Sequence, residues 1–119
     1  MPLYSVTIDE NVLAAAKGSY EGMEFYTSLT PAPEFKKAYE DKYKTNIDIG
    51  ADSAYDAAMM IAQAIKTTKS TDATVLANYL AGIKEYKGVS GDLISDGKRG
   101  FTKEFVLRKV ENGKIVDVK

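Results

Sequence analysis

A chain of 119 residues, 45% hydrophobic and 28% charged, fits one globular domain and can bury roughly two-thirds of its unfolded surface. Its formal net charge of -1 argues against a nucleic-acid partner, and the isolated basic pairs Lys36-Lys37 and Lys98-Arg99 read as solvated surface. The sequence has no cysteine and no histidine, which excludes disulfides, thiolate metal sites, histidine-dependent triads and the usual zinc centres.

Met1-Pro2-Leu3 leads straight into strand-like sequence, with neither a charged n-region nor an apolar h-region, so the start reads as an internal cut behind an added Met. Leu3 to Thr7 is rich in β-formers and predicts a strand. Thr7 or Asp9 caps a short helix through Ala16, with Gly18 placed where a C-terminal glycine belongs. Gly22 to Thr27 alternates apolar and polar residues, the pattern of a second strand. Thr30-Pro31-Ala32-Pro33 breaks the chain and opens a helix from about Glu34 to Tyr43, whose Phe35, Ala38, Tyr39 and Tyr43 share one face.

Asn46 to Ala51 reads as a loop, and Asp52 or Ser53 as the cap of a long helix to about Thr68. From Ala54 to Ile65 that helix is apolar nearly all round, so it is expected to be buried on several sides. Its longest apolar stretch, Ala57 to Ile65, is far short of the ~20 residues that cross a bilayer. Ser70-Thr71-Asp72 caps a further helix that turns Val75, Leu76, Tyr79 and Leu80 inward and ends at Gly82. Val89 to Ser95 and Phe101 to Val110 read as strands joined by a turn at Gly97 to Gly100. The Asn112-Gly113 pair marks a tight hairpin returning through Ile115 to Val118.

The glycine clusters at Gly88 to Gly91 and Gly97 to Gly100 lack phosphate-loop spacing and read as turns. Asn46, Asp48, Gly50 and Asp52 alternate like an oxygen-rich calcium loop, but Ala57 stands where such a loop needs a bidentate Glu, so a capped loop is the better reading. Carboxylate pairs such as Glu21 with Glu24 carry no sign of a shared cleft. Of the eight tyrosines, Tyr39, Tyr43 and Tyr79 lie on apolar helix faces and read as core. Tyr26 ends a strand beside Thr27 and Ser28. In open α/β sheets ligands sit beyond the carboxyl ends of strands, so this group is a candidate wall for a small polar ligand, set against the reading of an ordinary loop.

Phe35, Tyr39 and Tyr43 form an F-x-x-x-Y-x-x-x-Y helix similar to that of periplasmic solute-binding proteins of the branched-chain amino acid type. Ala54-Tyr55-Asp56-Ala57 with Ala64-Ile65 resembles the next helix of that family. Ser70-Thr71-Asp72 with Leu76 and Leu80, Tyr86 to Gly91, and Glu21-Gly22 before a strand follow the family's order over nearly the whole chain.

The resemblance implies an α/β chain with a partial type I periplasmic-binding-protein fold, its helices packed on a small sheet with a C-terminal β-hairpin region. It implies the C-terminal third of a two-lobed, non-enzymatic receptor, periplasmic or extracellular, whose export signal lies outside this chain. Residues to about 25 and from about 88 to 119 then serve one lobe, and about 30–87 the other. The lobes close by hinge motion over a small solute, a branched-chain or other amino acid, for delivery to an ABC transporter permease. The ligand-binding residues so placed are Thr7, Tyr26, Thr27 and Tyr55, with no cofactor and no metal. The alternative is a free-standing interaction module that docks a partner through its apolar helix. With part of the fold absent, Met59, Met60, Ile61 and Ile65 are expected to form an exposed apolar patch, and the isolated chain to self-associate.

Overall fold

The computed structural model of the protein describes residues 4–5, 7–28 and 31–118. The contacts group the chain into two compact units, Met1–Ile49 with Glu104–Lys119, and Gly50–Lys103.

In the first unit β1 covers Tyr4–Ser5; Leu3 and Val6 of the expected strand lie outside the described residues. The Asp9 carboxylate then accepts the Val12 backbone N–H at 2.7 Å and starts α1, Glu10–Ala15. Gly18 follows with φ 87°, so the left-handed turn expected there is present. β2, Glu24–Ser28, runs parallel to β1 and antiparallel to β6, Phe105–Glu111, which pairs in turn with β7, Lys114–Asp117. The sheet order is β1-β2-β6-β7. Ile8, Met23, Phe25 and Val110 form its core, flanked by Leu13, Tyr20 and Ile115. A side chain buried as fully as Phe25 stabilises by about 1.5–3 kcal/mol. Asn112 (φ 54°) and Gly113 (φ 69°) both take positive φ, the geometry a two-residue hairpin demands. The Glu21 carboxylate fixes that turn by accepting the N–H groups of Asn112 (2.7 Å) and Gly113 (3.1 Å).

The helix α2 spans Pro33–Tyr43, with a proline in its first turn and Lys44 closing it in the left-handed region. The Phe35, Tyr39 and Tyr43 rings succeed one another at centroid distances of 6.4 and 4.7 Å. The apolar face is less covered than expected: Ala38 is exposed and Tyr43 is 56% exposed.

The second unit holds α3 (Ala51–Thr68), α4 (Ala73–Ala81) and a sheet of order β3-β4-β5, comprising Glu85–Gly88, Gly91–Ser95 and Phe101–Thr102. α3 begins two or three residues earlier than expected. Gly50, with φ 84°, is its N-cap, and Asp52 already lies within the helix. Only one stripe of α3 is buried, namely Asp52, Asp56, Met60 and Ala64, each four residues from the last. Burial on several sides is therefore not observed in this chain. Met59, Ile61 and Ile65 are exposed as expected, but Met60 is buried and leaves the patch. In α4 the Asp72 carboxylate accepts the N–H groups of Thr74 and Val75, while Leu76, Tyr79 and Leu80 are half-buried and Val75 is exposed.

Two strand expectations change. Glu85–Gly88 forms β3, unforeseen, and the segment read as one strand from Phe101 to Val110 divides between the sheets at Lys103–Glu104. The β4–β5 turn is held by the Asp96 carboxylate, which accepts from Lys98 and Gly100; those bonds keep its pKa below the usual carboxylate value.

The second unit is organised around Asp56, which is 1% exposed. Its two oxygens accept the N–H groups of Val89 and Ser90, each at 2.9 Å, and so grip the β3–β4 turn. Gly88 fits there because a Cβ would overlap the Asp56 carboxylate. Asp56→Ala orphans two N–H groups and should cost about 2–5 kcal/mol. Gly88→Ala should lower stability by a similar mechanism from the other side. Urea unfolding of both variants checks this, and an unchanged midpoint for Asp56→Ala would show that the grip is dispensable.

Candidate functional site at the carboxyl ends of β1 and β2

Parallel pairing aligns Tyr4 with Glu24 and Ser5 with Phe25, so β1 and β2 deliver their carboxyl ends to the same edge of the sheet. Thr7 follows β1, and Thr27 is the penultimate residue of β2. Their hydroxyl oxygens lie 3.2 Å apart, and either can donate. Both residues are half-buried, and the Ser5 hydroxyl donates to the Thr7 carbonyl at 3.3 Å. Such a pair has lone pairs and a rotatable proton left over, so it can both donate to and accept from a small polar molecule.

Successive strand residues point to opposite faces. Phe25 is 1% exposed, whereas Tyr26 is 60% exposed, opposite Leu107 in the register. Tyr26 is therefore not a core residue. Its ring occupies the sheet face away from Phe25, and the Thr27 side chain takes the other. The aromatic wall and the hydroxyls expected side by side share a strand end but not a face.

Polar groups surround the loop from β1 into α1. Asn11 donates to Asp48 at 2.8 Å and accepts from Asn46 at 3.3 Å. These bonds give Asn46 and Asp48 a structural role in the segment that superficially matches a calcium loop. Lys36 reaches Glu10 at 3.4 Å. Among the described residues, no group of three or more His, Cys, Asp or Glu side chains is gathered as a metal would require.

Tyr55 belongs to the second unit, on α3, and is 44% exposed. Within that unit Tyr86 has its hydroxyl pKa raised above the ordinary phenol value, first by burial and then by the charges of Asp56 and Tyr55. An open concavity of about 570 Å³ in the first unit lies over α1 and the β6–β7 hairpin, lined by Leu13, Lys17, Val110, Lys114 and Ile115 among others. None of the four candidate residues lines it. Sequence reasoning missed Asp56 and Lys103 as buried or half-buried charges; the one visible signal was a carboxylate four residues after Asp52 inside an apolar run.

The family profile described as periplasmic binding protein matches residues 1–114, and the chain belongs to that family. This is a family of binding proteins rather than enzymes. No curated protein matches the sequence. Among solved structures, the leucine binding protein of Thermotoga maritima is similar at 22% identity and TM-score 0.81, over 99% of this chain and 36% of that one. The solute-binding protein of an ABC transporter from R. palustris, in complex with benzoate, is 21% identical with TM-score 0.78, over 99% and 35%. The branched-chain amino acid transporter substrate binding protein of Streptococcus pneumoniae, in complex with isoleucine, is 23% identical with TM-score 0.76, over 90% and 32%. The fold is thus that of type I periplasmic binding proteins, and the chain spans about a third of the length of these structures. Among the described residues no helix is long and apolar enough to cross a membrane.

Tyr26→Ala should change the stability of the chain by no more than about 0.5 kcal/mol, as for other surface substitutions. Denaturant unfolding measures it, and a loss of several kcal/mol would make Tyr26 a core residue.

Proposed function

We propose that this chain is the C-terminal third of a two-lobed extracytoplasmic receptor that captures a small molecule, an amino acid, and hands it to an ABC transporter permease. The observation that carries the reading is the Thr7–Thr27 hydroxyl pair at the shared carboxyl end of two parallel strands, the position where open α/β sheets hold ligands. Membership of the periplasmic binding protein family supports binding rather than catalysis, and an extracytoplasmic location. Similar structures that hold isoleucine and benzoate support a small organic solute. Thr7, Thr27, Tyr26 and Tyr55 are the residues proposed to line the cleft of the longer protein, with no cofactor and no metal.

The sequence divides the proposed lobes near residues 25 and 88, whereas the two compact units of this chain, Met1–Ile49 with Glu104–Lys119 and Gly50–Lys103, favour boundaries near 50 and 103. The passage between the two sheets at Lys103–Glu104 argues for placing the second crossing there in the longer protein. A thermal-shift screen of the longer protein against amino acids and small carboxylates tests the proposal. One or more should raise its melting temperature, and Tyr26→Ala or Thr27→Val should weaken that shift. No shift with any small solute would remove the receptor reading.

The exposed Tyr55, Met59, Ile61 and Ile65 on α3 favour a second reading, a module that docks a partner protein through this helix. The behaviour of the isolated chain tests whether it is part of a larger receptor. As part of a receptor it should self-associate as a symmetric dimer through these residues or its open sheet edges, and bind the solute negligibly. Light scattering coupled to gel filtration and calorimetry measure the two properties. A monomer at high concentration that binds an amino acid tightly would mean that the 119 residues form a complete binding domain.

A further inference from the structure

Of the four asparagines in the chain, only Asn112 precedes a glycine. That pair is chemically labile. The peptide nitrogen of the following residue can attack the asparagine side-chain carbonyl carbon, and a glycine there has no Cβ to crowd the approach. Asn112 and Gly113 are exposed between β6 and β7, so water reaches them. The residues that make this turn are thus also a site of spontaneous modification.

The turn opposes the reaction in two ways. Ring closure needs the Gly113 nitrogen eclipsed with the Asn112 Cβ about the Cα–C bond. Positive φ at both residues, 54° and 69°, is the signature of a mirror-image type I turn, which holds the nitrogen far from that position. The nitrogen must also lose its proton to become a nucleophile. Its N–H donates to one Glu21 carboxylate oxygen at 3.1 Å, while the Asn112 N–H donates to the other at 2.7 Å. A carboxylate this close stabilises the N–H and disfavours negative charge developing on the nitrogen. Glu21 is itself fixed. Its N–H donates to the Gly18 carbonyl at 3.3 Å. The Gly22 N–H donates to the Val110 carbonyl at 3.0 Å, and the Val110 N–H to the Met23 carbonyl at 2.9 Å, so the chain after Glu21 is pinned to β6 just before the turn.

We propose that Asn112 is a latent deamidation site and that Glu21 is the positioning residue that holds it in check. When the grip is released, the Gly113 nitrogen forms a bond to the Asn112 Cγ. The bond from Cγ to the side-chain nitrogen breaks, and that nitrogen leaves as ammonia with the proton from the Gly113 N–H. Water then opens the five-membered imide at either of its two carbonyls. One opening leaves an ordinary aspartyl residue. The other routes the main chain through the side-chain carbonyl and lengthens it by a methylene. Both products carry a new carboxylate. The lengthened main chain does not fit a two-residue turn between Glu111 and Lys114, and it disturbs the Val110–Ile115 pairing at the core.

The test is peptide mapping by mass spectrometry of the chain, incubated folded at mildly alkaline pH and in parallel unfolded in guanidinium chloride, with the aspartyl and isoaspartyl products of Asn112 separated by chromatography. The folded wild type should deamidate at Asn112 more slowly than the unfolded chain. Glu21→Ala should raise the folded-state rate roughly three- to tenfold, the effect of losing hydrogen bonds of ordinary net strength at an exposed carboxylate. Glu21→Gln, which keeps one neutral acceptor oxygen, should lie between. Asn11, Asn46 and Asn78, followed by Val12, Ile47 and Tyr79, should not change in either variant. If Glu21→Ala unfolds the chain, Glu21→Gln carries the comparison. Equal rates for the folded and unfolded wild type, or variants no faster than wild type, would overturn the proposal. Acceleration at every asparagine alike would also overturn it, by making Glu21 a general stabiliser.

Discussion

The Asp56 carboxylate, buried in α3 and hydrogen-bonded to the Val89 and Ser90 N–H groups, is the interaction on which the second unit depends. A charge taken so far from water is tolerable only if its lone pairs are satisfied, and two backbone donors at 2.9 Å satisfy them. The bond fixes which side of α3 faces the β3–β4 sheet. From that the remaining geometry follows: Asp52, Met60 and Ala64 share the buried stripe by helical spacing, and Asp52 is brought to the base of the unit beside Lys103. A lack of space explains Gly88, because any Cβ there meets the Asp56 carboxylate.

The first unit rests on a different principle. A parallel pair, β1 with β2, is extended by antiparallel β6 and β7, and its core gathers on the face that carries Phe25 and Val110. The opposite face, with Tyr26 exposed, has little of this chain against it. All-parallel sheets are ordinarily covered on both faces, whereas a mainly antiparallel sheet such as this one can leave a face open. The second unit leaves Tyr55, Met59, Ile61 and Ile65 of α3 exposed. Both fit a chain that spans about a third of the length of the structures it resembles.

Elements with a local chemical signature were legible in the sequence. Asp9 and Asp72 cap their helices by their own side chains, and Asn112-Gly113 forms the expected tight turn. Elements fixed by long-range pairing were not. Glu85–Gly88 is too short and too polar to announce a strand, and becomes one by pairing with Gly91–Ser95. Phe101 to Val110 reads as continuous because no glycine or proline marks the passage at Lys103–Glu104, where the strand changes sheets. The apolar character of α3 was plain, but its buried stripe carries Asp52 and Asp56 with Met60 and Ala64, while Met59, Ile61 and Ile65 lie exposed. For the candidate site, the strand ends could be located from sequence, while the 3.2 Å approach of Thr7 to Thr27 depends on the β1–β2 register. The opposite facing of Tyr26 follows from strand alternation and was available from the start.

The central claim is that the carboxyl ends of β1 and β2 form part of a solute-binding cleft. A crystal structure of the longer protein with its solute bound tests this most directly. The account predicts a small molecule within hydrogen-bonding distance of the Thr7 or Thr27 hydroxyl, with that end of β2 shielded from water. A solute bound elsewhere, with both hydroxyls still paired only to each other and open to solvent, would contradict it.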